Sequence, residues 1–206
     1  MSRILLLLLI LVSSVTHANT ILILGDSLSA GYRMNASQAW PQLLAKRWQQ
    51  EGLAVALINA SVSGDTTQGG LQRLPALLKK HQPSLVLLEL GGNDGLRGLP
   101  PALIEKNLNQ MINMVQDSGA KVILTDIQLP PNYGRRYLQQ FEAIFSDLAN
   151  EHKIPLLPFF VAPLIGQDGM LMDDGIHPTA QAQDAIVEQV HGFLLPYLTD
   201  SRKPVS

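Results

Sequence analysis

Short apolar runs alternate five times with longer stretches of helical periodicity along this chain, and that alternation leaves few folds open to it. The runs lie at 20–24, 53–60, 85–90, 121–127 and 154–157, and most end in Gly, Asp, Asn, Ser or Pro punctuation. Continuous apolarity, without in–out alternation, marks strands covered on both faces, as in a parallel sheet. Helices are expected over 37–51 (stopped by Gly52), over 67–81 (with Pro75 as a kink or restart), between Pro100-Pro101 and Gly119, after 134 up to 152, and over 179–195. Such alternation implies right-handed crossovers with helices on both faces. The expected architecture is therefore α/β: a three-layer α/β/α sandwich around a five-stranded parallel sheet of flavodoxin-like order. No Gly-x-Gly-x-x-Gly follows the first strand and no Walker-type loop occurs, so nothing signals a dinucleotide or phosphate cradle.

The chain has 206 residues, 46% of them hydrophobic and 16% charged, which suits one α/β domain with a sizeable core. A formal charge of −2 gives no basic footprint for nucleic acid. The first 18 residues read differently. Arg3 supplies a positive start, 4–12 is a nine-residue apolar run, and small residues lead to a cut expected after Ala18. That run is too short for a bilayer, which takes roughly 20 residues. The alternatives are a buried first strand or an uncleaved anchor. The division expected is thus a signal peptide at 1–18, one domain at 19–198 and a frayed tail at 199–206, with a periplasmic or secreted monomer as the product. There is no cysteine, so neither a disulfide framework nor a thiol nucleophile is available.

The first apolar run ends in Gly25-Asp26-Ser27. A serine just beyond the carboxyl end of a parallel strand stands where open α/β sheets form their ligand crevice. Taken singly, Ser27 also reads as a helix N-cap. A serine nucleophile needs a base, and the base needs an orienting acid. His17 leaves with the leader, His81 and His152 close expected helices, and His191 lies inside one. His177 sits in a late loop with Asp174 three residues before it and Pro178 after it. A turn over Asp174-Gly175-Ile176-His177 can bring the carboxylate to Nδ1 and leave Nε2 for a hydroxyl. The same spacing also fits a capped loop with a solvated pair. For a developing oxyanion, Gly64 offers an unobstructed N–H on the second strand's exit loop and Asn93 a side-chain amide on the third. Each has a plainer reading, as a turn glycine and an Asx-turn residue.

Together these blocks resemble the SGNH (GDSL) hydrolases: Gly25-Asp26-Ser27-Leu28-Ser29, then Gly64, then Gly91-Gly92-Asn93-Asp94, then Asp174-Gly175-Ile176-His177, in order between 20 and 180. Longer stretches, 23–32, 90–98 and 129–134, are similar to the periplasmic bacterial thioesterase I, lysophospholipase and arylesterase group within that family. The resemblance implies the SGNH fold, with Ser27 as nucleophile, His177 as general base and acid, and Asp174 as its orienter. It implies an oxyanion hole from the Ser27 and Gly64 amides and the Asn93 side chain. Asp173 is the competing orienter, and Asp26 is expected to bond the loop backbone.

The function so implied is hydrolysis of small-molecule acyl esters and thioesters through an acyl-serine intermediate, with no metal and no organic cofactor, no nucleic acid partner and no membrane span in the mature form. Leu96, Leu99, Leu129, Pro130 and Pro131 are expected to supply apolar surface for the acyl group. Alternatives on the same scaffold are a carbohydrate O-acetylesterase, which needs a polar sugar-sized crevice, and a non-catalytic periplasmic binding module. A metal hydrolase could draw on Asp173, Asp174 and His177, but no further His/Asp cluster completes its site.

Overall fold

The computed structural model describes residues 19–199. The expected leader, and the tail from 200 onward, lie outside those residues. β1 (Asn19–Gly25) leads through a single turn, α1 (Ser27–Ala30), and a 3₁₀ turn (Ala36–Gln38) into α2 (Trp40–Gln50) and β2 (Val55–Asn59). α3 (Thr67–His81), β3 (Leu85–Glu89), the short α4 (Gly92–Leu96), α5 (Pro101–Asp117) and β4 (Lys121–Thr125) follow. After a 3₁₀ turn (Pro131–Tyr133) come α6 (Arg135–His152), the two-residue β5 (Leu156–Leu157) and, much later, α7 (Gln183–Thr199).

All pairings are parallel, in the order β2-β1-β3-β4-β5, which is the flavodoxin-like order expected. The direction of growth reverses at β1. With right-handed crossovers, α2 and α3 must then cover opposite faces. Accordingly α2 packs on α7, while α3 packs on α5 and α5 on α6. The central strands are buried between these layers: Ile21 to Leu24 and Val86 to Leu88 have no exposure, and Trp40, Trp48, Phe141 and Phe145 fill the space beside them. The edge strand β2 is only partly covered.

Three expectations need correction. The edge strands β2 and β5 are shorter than their apolar runs, because an edge has a partner on one side only. Pro75 does not restart α3, which runs unbroken through it; the proline is exposed, so solvent can meet the carbonyl its missing N–H frees. The loops after Ser27 and after Gly91 contain one-turn helices that periodicity cannot reveal in four or five residues. What matters for function is the adjacency of β2, β1 and β3. Their carboxyl ends form one rim at the point where the strand order reverses, the usual crevice of this architecture.

Candidate active site

β1 delivers Ser27 through a tight exit. A Cβ on Gly25 would come 2.5 Å from Glu89 Oε2 and 2.9 Å from Ser61 Oγ, so only glycine lets the strand pass this close to its neighbours. Asp26 then caps α1, its Oδ1 accepting from the Leu28 amide at 3.0 Å. Ser27 is thereby the first residue of the turn, with its hydroxyl at the mouth of a cleft.

The partner of that hydroxyl comes from 150 positions later: His177 Nε2 lies 2.9 Å from Ser27 Oγ. His177 Nδ1 meets Asp174 Oδ2 at 2.8 Å. The other carboxylate oxygen, Asp174 Oδ1, accepts from the Ile176 and His177 amides at 2.9 and 3.0 Å, so one side chain builds the turn and holds the ring. The loop is closed behind it by Met172 N–H donating to His177 C=O at 2.8 Å and by a bridge between Leu171 and Pro178. Desolvation pushes the Asp174 carboxyl up. The His177 and Ile176 amides and the imidazole outweigh it and hold the group at about 2. Asp173 and Asp174 are both exposed, and it is Asp174 whose carboxylate touches the ring. Tyr32 packs against the imidazole, ring centroids 4.3 Å apart, with Arg33 over the tyrosine face.

β3 supplies the third component. Gly91 turns the chain at φ 118°, a conformation that suits glycine, and starts α4. Asn93, on α4, donates through Nδ2 to Asp26 Oδ2 at 2.9 Å and lines the same cleft as Ser27 and His177. Gly64 is not among the lining residues. Its carbonyl accepts from Arg97 at 3.0 Å, which fastens the β2 exit loop to the end of α4. The buried Asp94 ties α4 to the start of α3, accepting from the Thr67 amide at 2.8 Å and the Thr67 hydroxyl at 2.6 Å.

The cleft itself is small, about 60 Å³, and its apolar lining includes Leu96, Ile127, Leu129, Pro130, Phe159 and Ile176. Leu96, Leu129 and Pro130 were expected there. Leu99 and Pro131 are not among the lining residues, while Ile127, Phe159 and Ile176 were not foreseen. Larger hollows of about 500 and 510 Å³ lie between α3 and α5 and beside α2 and α7, away from these groups. Two of the other histidines are occupied elsewhere: His191 Nδ1 accepts from the Trp48 indole at 2.9 Å, and His152 meets Asn109 at 2.7 Å. Among the described residues no three His, Asp or Glu side chains cluster as a metal site requires.

A hydroxyl bonded to an imidazole whose far nitrogen meets a carboxylate can pass its proton to the ring and attack an electrophilic carbon. The sequence reading assigned no role to Glu89, Asp94, Arg97 or Tyr32, although Asp94 stands in the Gly91-Gly92-Asn93-Asp94 block. For Glu89 a signal was present, an acid inside the run Leu85-Val86-Leu87-Leu88-Glu89-Leu90.

The GDSL-like Lipase/Acylhydrolase family model matches residues 23–185. "Thioesterase 1/protease 1/lysophospholipase L1" of Escherichia coli K12 is 51% identical over 191 residues, covering 93% of this chain and 90% of its own. An arylesterase of Vibrio mimicus is 49% identical over 178 residues, 86% of this chain and 89% of its own. Among solved structures, the psychrotrophic esterase EstA from Pseudoalteromonas, inhibited by monoethylphosphonate, superposes with a TM-score of 0.85 at 39% identity over 87% of this chain and 98% of that one. The motif blocks, the strand order and these matches agree, and the chain belongs to the GDSL-like lipase/acylhydrolase family.

Proposed function

We propose that this chain hydrolyses acyl esters and thioesters through an acyl-serine intermediate. The observation that carries the reading is the unbroken relay from Asp174 through His177 to Ser27, with contacts of 2.8 and 2.9 Å, opening on an apolar cleft. Ser27 Oγ attacks the acyl carbon and its proton passes to His177 Nε2. The carbonyl π pair moves to oxygen, and that oxyanion is met by the Asn93 amide with the Ser27 and Gly64 backbone N–H groups. When the tetrahedral adduct collapses, the bond to the alcohol or thiol breaks and His177 protonates the leaving group. Water then repeats the sequence, with His177 as base, and frees the acid and Ser27. Asp174 stays ionised throughout, holding Nδ1–H and stabilising the imidazolium. The apolar lining favours an acyl chain over a sugar, which supports this reading over the O-acetylesterase.

One chain supplies every group, which supports action as a monomer. We further infer export, with residues 1–18 removed; the mature N-terminus found by mass spectrometry should be Asn19, and a full-length cytoplasmic product would contradict it. Among the described residues no helix is long and apolar enough to cross a membrane.

The test is steady-state kinetics on a chromogenic short-chain ester. Ser27→Ala and His177→Ala should each lower kcat by about 10⁴-fold or more, because triad members act as a unit. Asn93→Ala should lower kcat by roughly 10²–10³-fold with KM little changed, as expected for a donor that strengthens only as charge develops. Wild-type kcat in folded Ser27→Ala would overturn the mechanism.

A further inference from the structure

Glu89 ends β3 inside the molecule with no exposure, in a run otherwise made of Leu and Val. Its Oε2 accepts from Ser29 Oγ at 2.7 Å and from the Asp26 amide at 3.3 Å, while Oε1 is buried without a hydrogen-bond partner. Asp26 lies against it, 2% exposed, with Oδ1 on the Leu28 amide and Oδ2 on the Asn93 amide. Gly25 is what makes room for the glutamate, since a Cβ there would meet Oε2. Among the described residues no Lys, Arg or His forms an ion pair with either carboxyl. The mechanism above uses neither group.

Two buried carboxyls in contact cannot both be ionised. Burial and the nearby Asp26 charge push Glu89 well above the ordinary carboxylate range, and burial raises Asp26 to about 6. A proton on Glu89 gives that carboxyl an O–H to donate, and the Asp26 carboxylate, whose own amide already meets Oε2, is the neighbouring acceptor. The negative charge then rests on Asp26, where Asn93 meets it. An asparagine amide has two N–H bonds. With one spent on Asp26 Oδ2, the plane of the amide is set and the other is free for the cleft that Asn93 lines.

We propose that Asp26 and Glu89 form a carboxyl pair sharing one proton, whose task is to position the Asn93 amide for the oxyanion. Glu89, as the neutral acid, holds Asp26; the Asp26 carboxylate holds Asn93. Both are positioning residues, Asp26 among the residues that line the cleft and Glu89 behind it, and the proposal rests on Asn93 being an oxyanion donor.

A double-mutant cycle on kcat tests it, with circular dichroism confirming the fold of each variant and a short-chain chromogenic ester as substrate. Asp26→Asn keeps the shape and removes the charge. It should lower kcat about 10- to 100-fold with KM within about twofold, the range of a hydrogen bond to a charged group. In the Asn93→Ala background the same change should cost less than about threefold, because the group it acts through is gone. An equal loss in both backgrounds, or no loss in Asp26→Asn while Asn93→Ala is impaired, would overturn the pair alone. Unchanged kcat in Asn93→Ala would overturn the oxyanion reading and the pair with it. Glu89→Gln keeps an acceptor for Ser29 and a donor for Asp26, whereas Glu89→Leu keeps neither. The first should retain kcat at least about tenfold above the second, and equal losses would remove Glu89 from the arrangement.

Discussion

Two carboxyls of this site are shifted in opposite directions, and that gives opposite signs to their effect on stability. Asp174 is held at about 2, below its ordinary 3.8. Its contribution is present above the unfolded value and is lost as pH falls through about 2. The stability advantage of wild type over Asp174→Asn in urea unfolding should therefore shrink between pH 4 and pH 2. Asp26 is raised from 3.8 to about 6 by burial, so its contribution is full below the unfolded value and is lost as pH rises through about 6. Asp26→Asn should gain on wild type between pH 4 and pH 8. A gap that moved the other way would contradict the buried, raised Asp26. Ser27, Asn93, Asp174 and His177 were legible in the sequence because each sits in a short local pattern with a chemical reason. Glu89 showed only as an acid inside an apolar run, and its role was not legible, because its partners Asp26 and Ser29 are about sixty positions away and only the fold brings them together.

Short elements carry the site, and they were the least legible. α1 and α4 have too few residues to show a period, and Gly92 and Gly95 oppose helix within α4. They form because side chains fasten them: Asp26 caps α1, and Asp94 ties α4 to the start of α3 through Thr67. Asn107 of α5 completes that knot, donating to the Thr67 hydroxyl at 3.0 Å. By contrast α3 was read from 67 to 81 as found, since fifteen residues display their apolar face. Asp94→Ala leaves the buried Thr67 amide without an acceptor and should cost about 3 kcal/mol in urea unfolding. It should also lower kcat, because the Gly64 and Asn93 loops lose their common anchor. A variant as stable as wild type would show that Arg97 and packing suffice.

At the scale of the whole molecule, strand order was legible because continuous apolar runs and right-handed crossovers leave little choice. The cleft was only partly so. Ile127, Phe159 and Ile176 come from loops after β4 and β5 and before His177, and nothing local marks them as neighbours. If this lining receives the acyl chain, Leu129→Ala should lower kcat/KM for an eight-carbon ester about five- to tenfold relative to an acetyl ester, the equivalent of one to two methylene contacts at ~0.8 kcal/mol each. An unchanged ratio would place the chain elsewhere. The central claim is covalent: Ser27 carries the acyl group. An activated alkyl phosphonate ester should inactivate the wild-type protein with one adduct per chain, and peptide mass mapping should put it on Ser27. Ser27→Ala should take up none. An adduct on another residue, or an inactivated protein with an unmodified Ser27, would contradict the account.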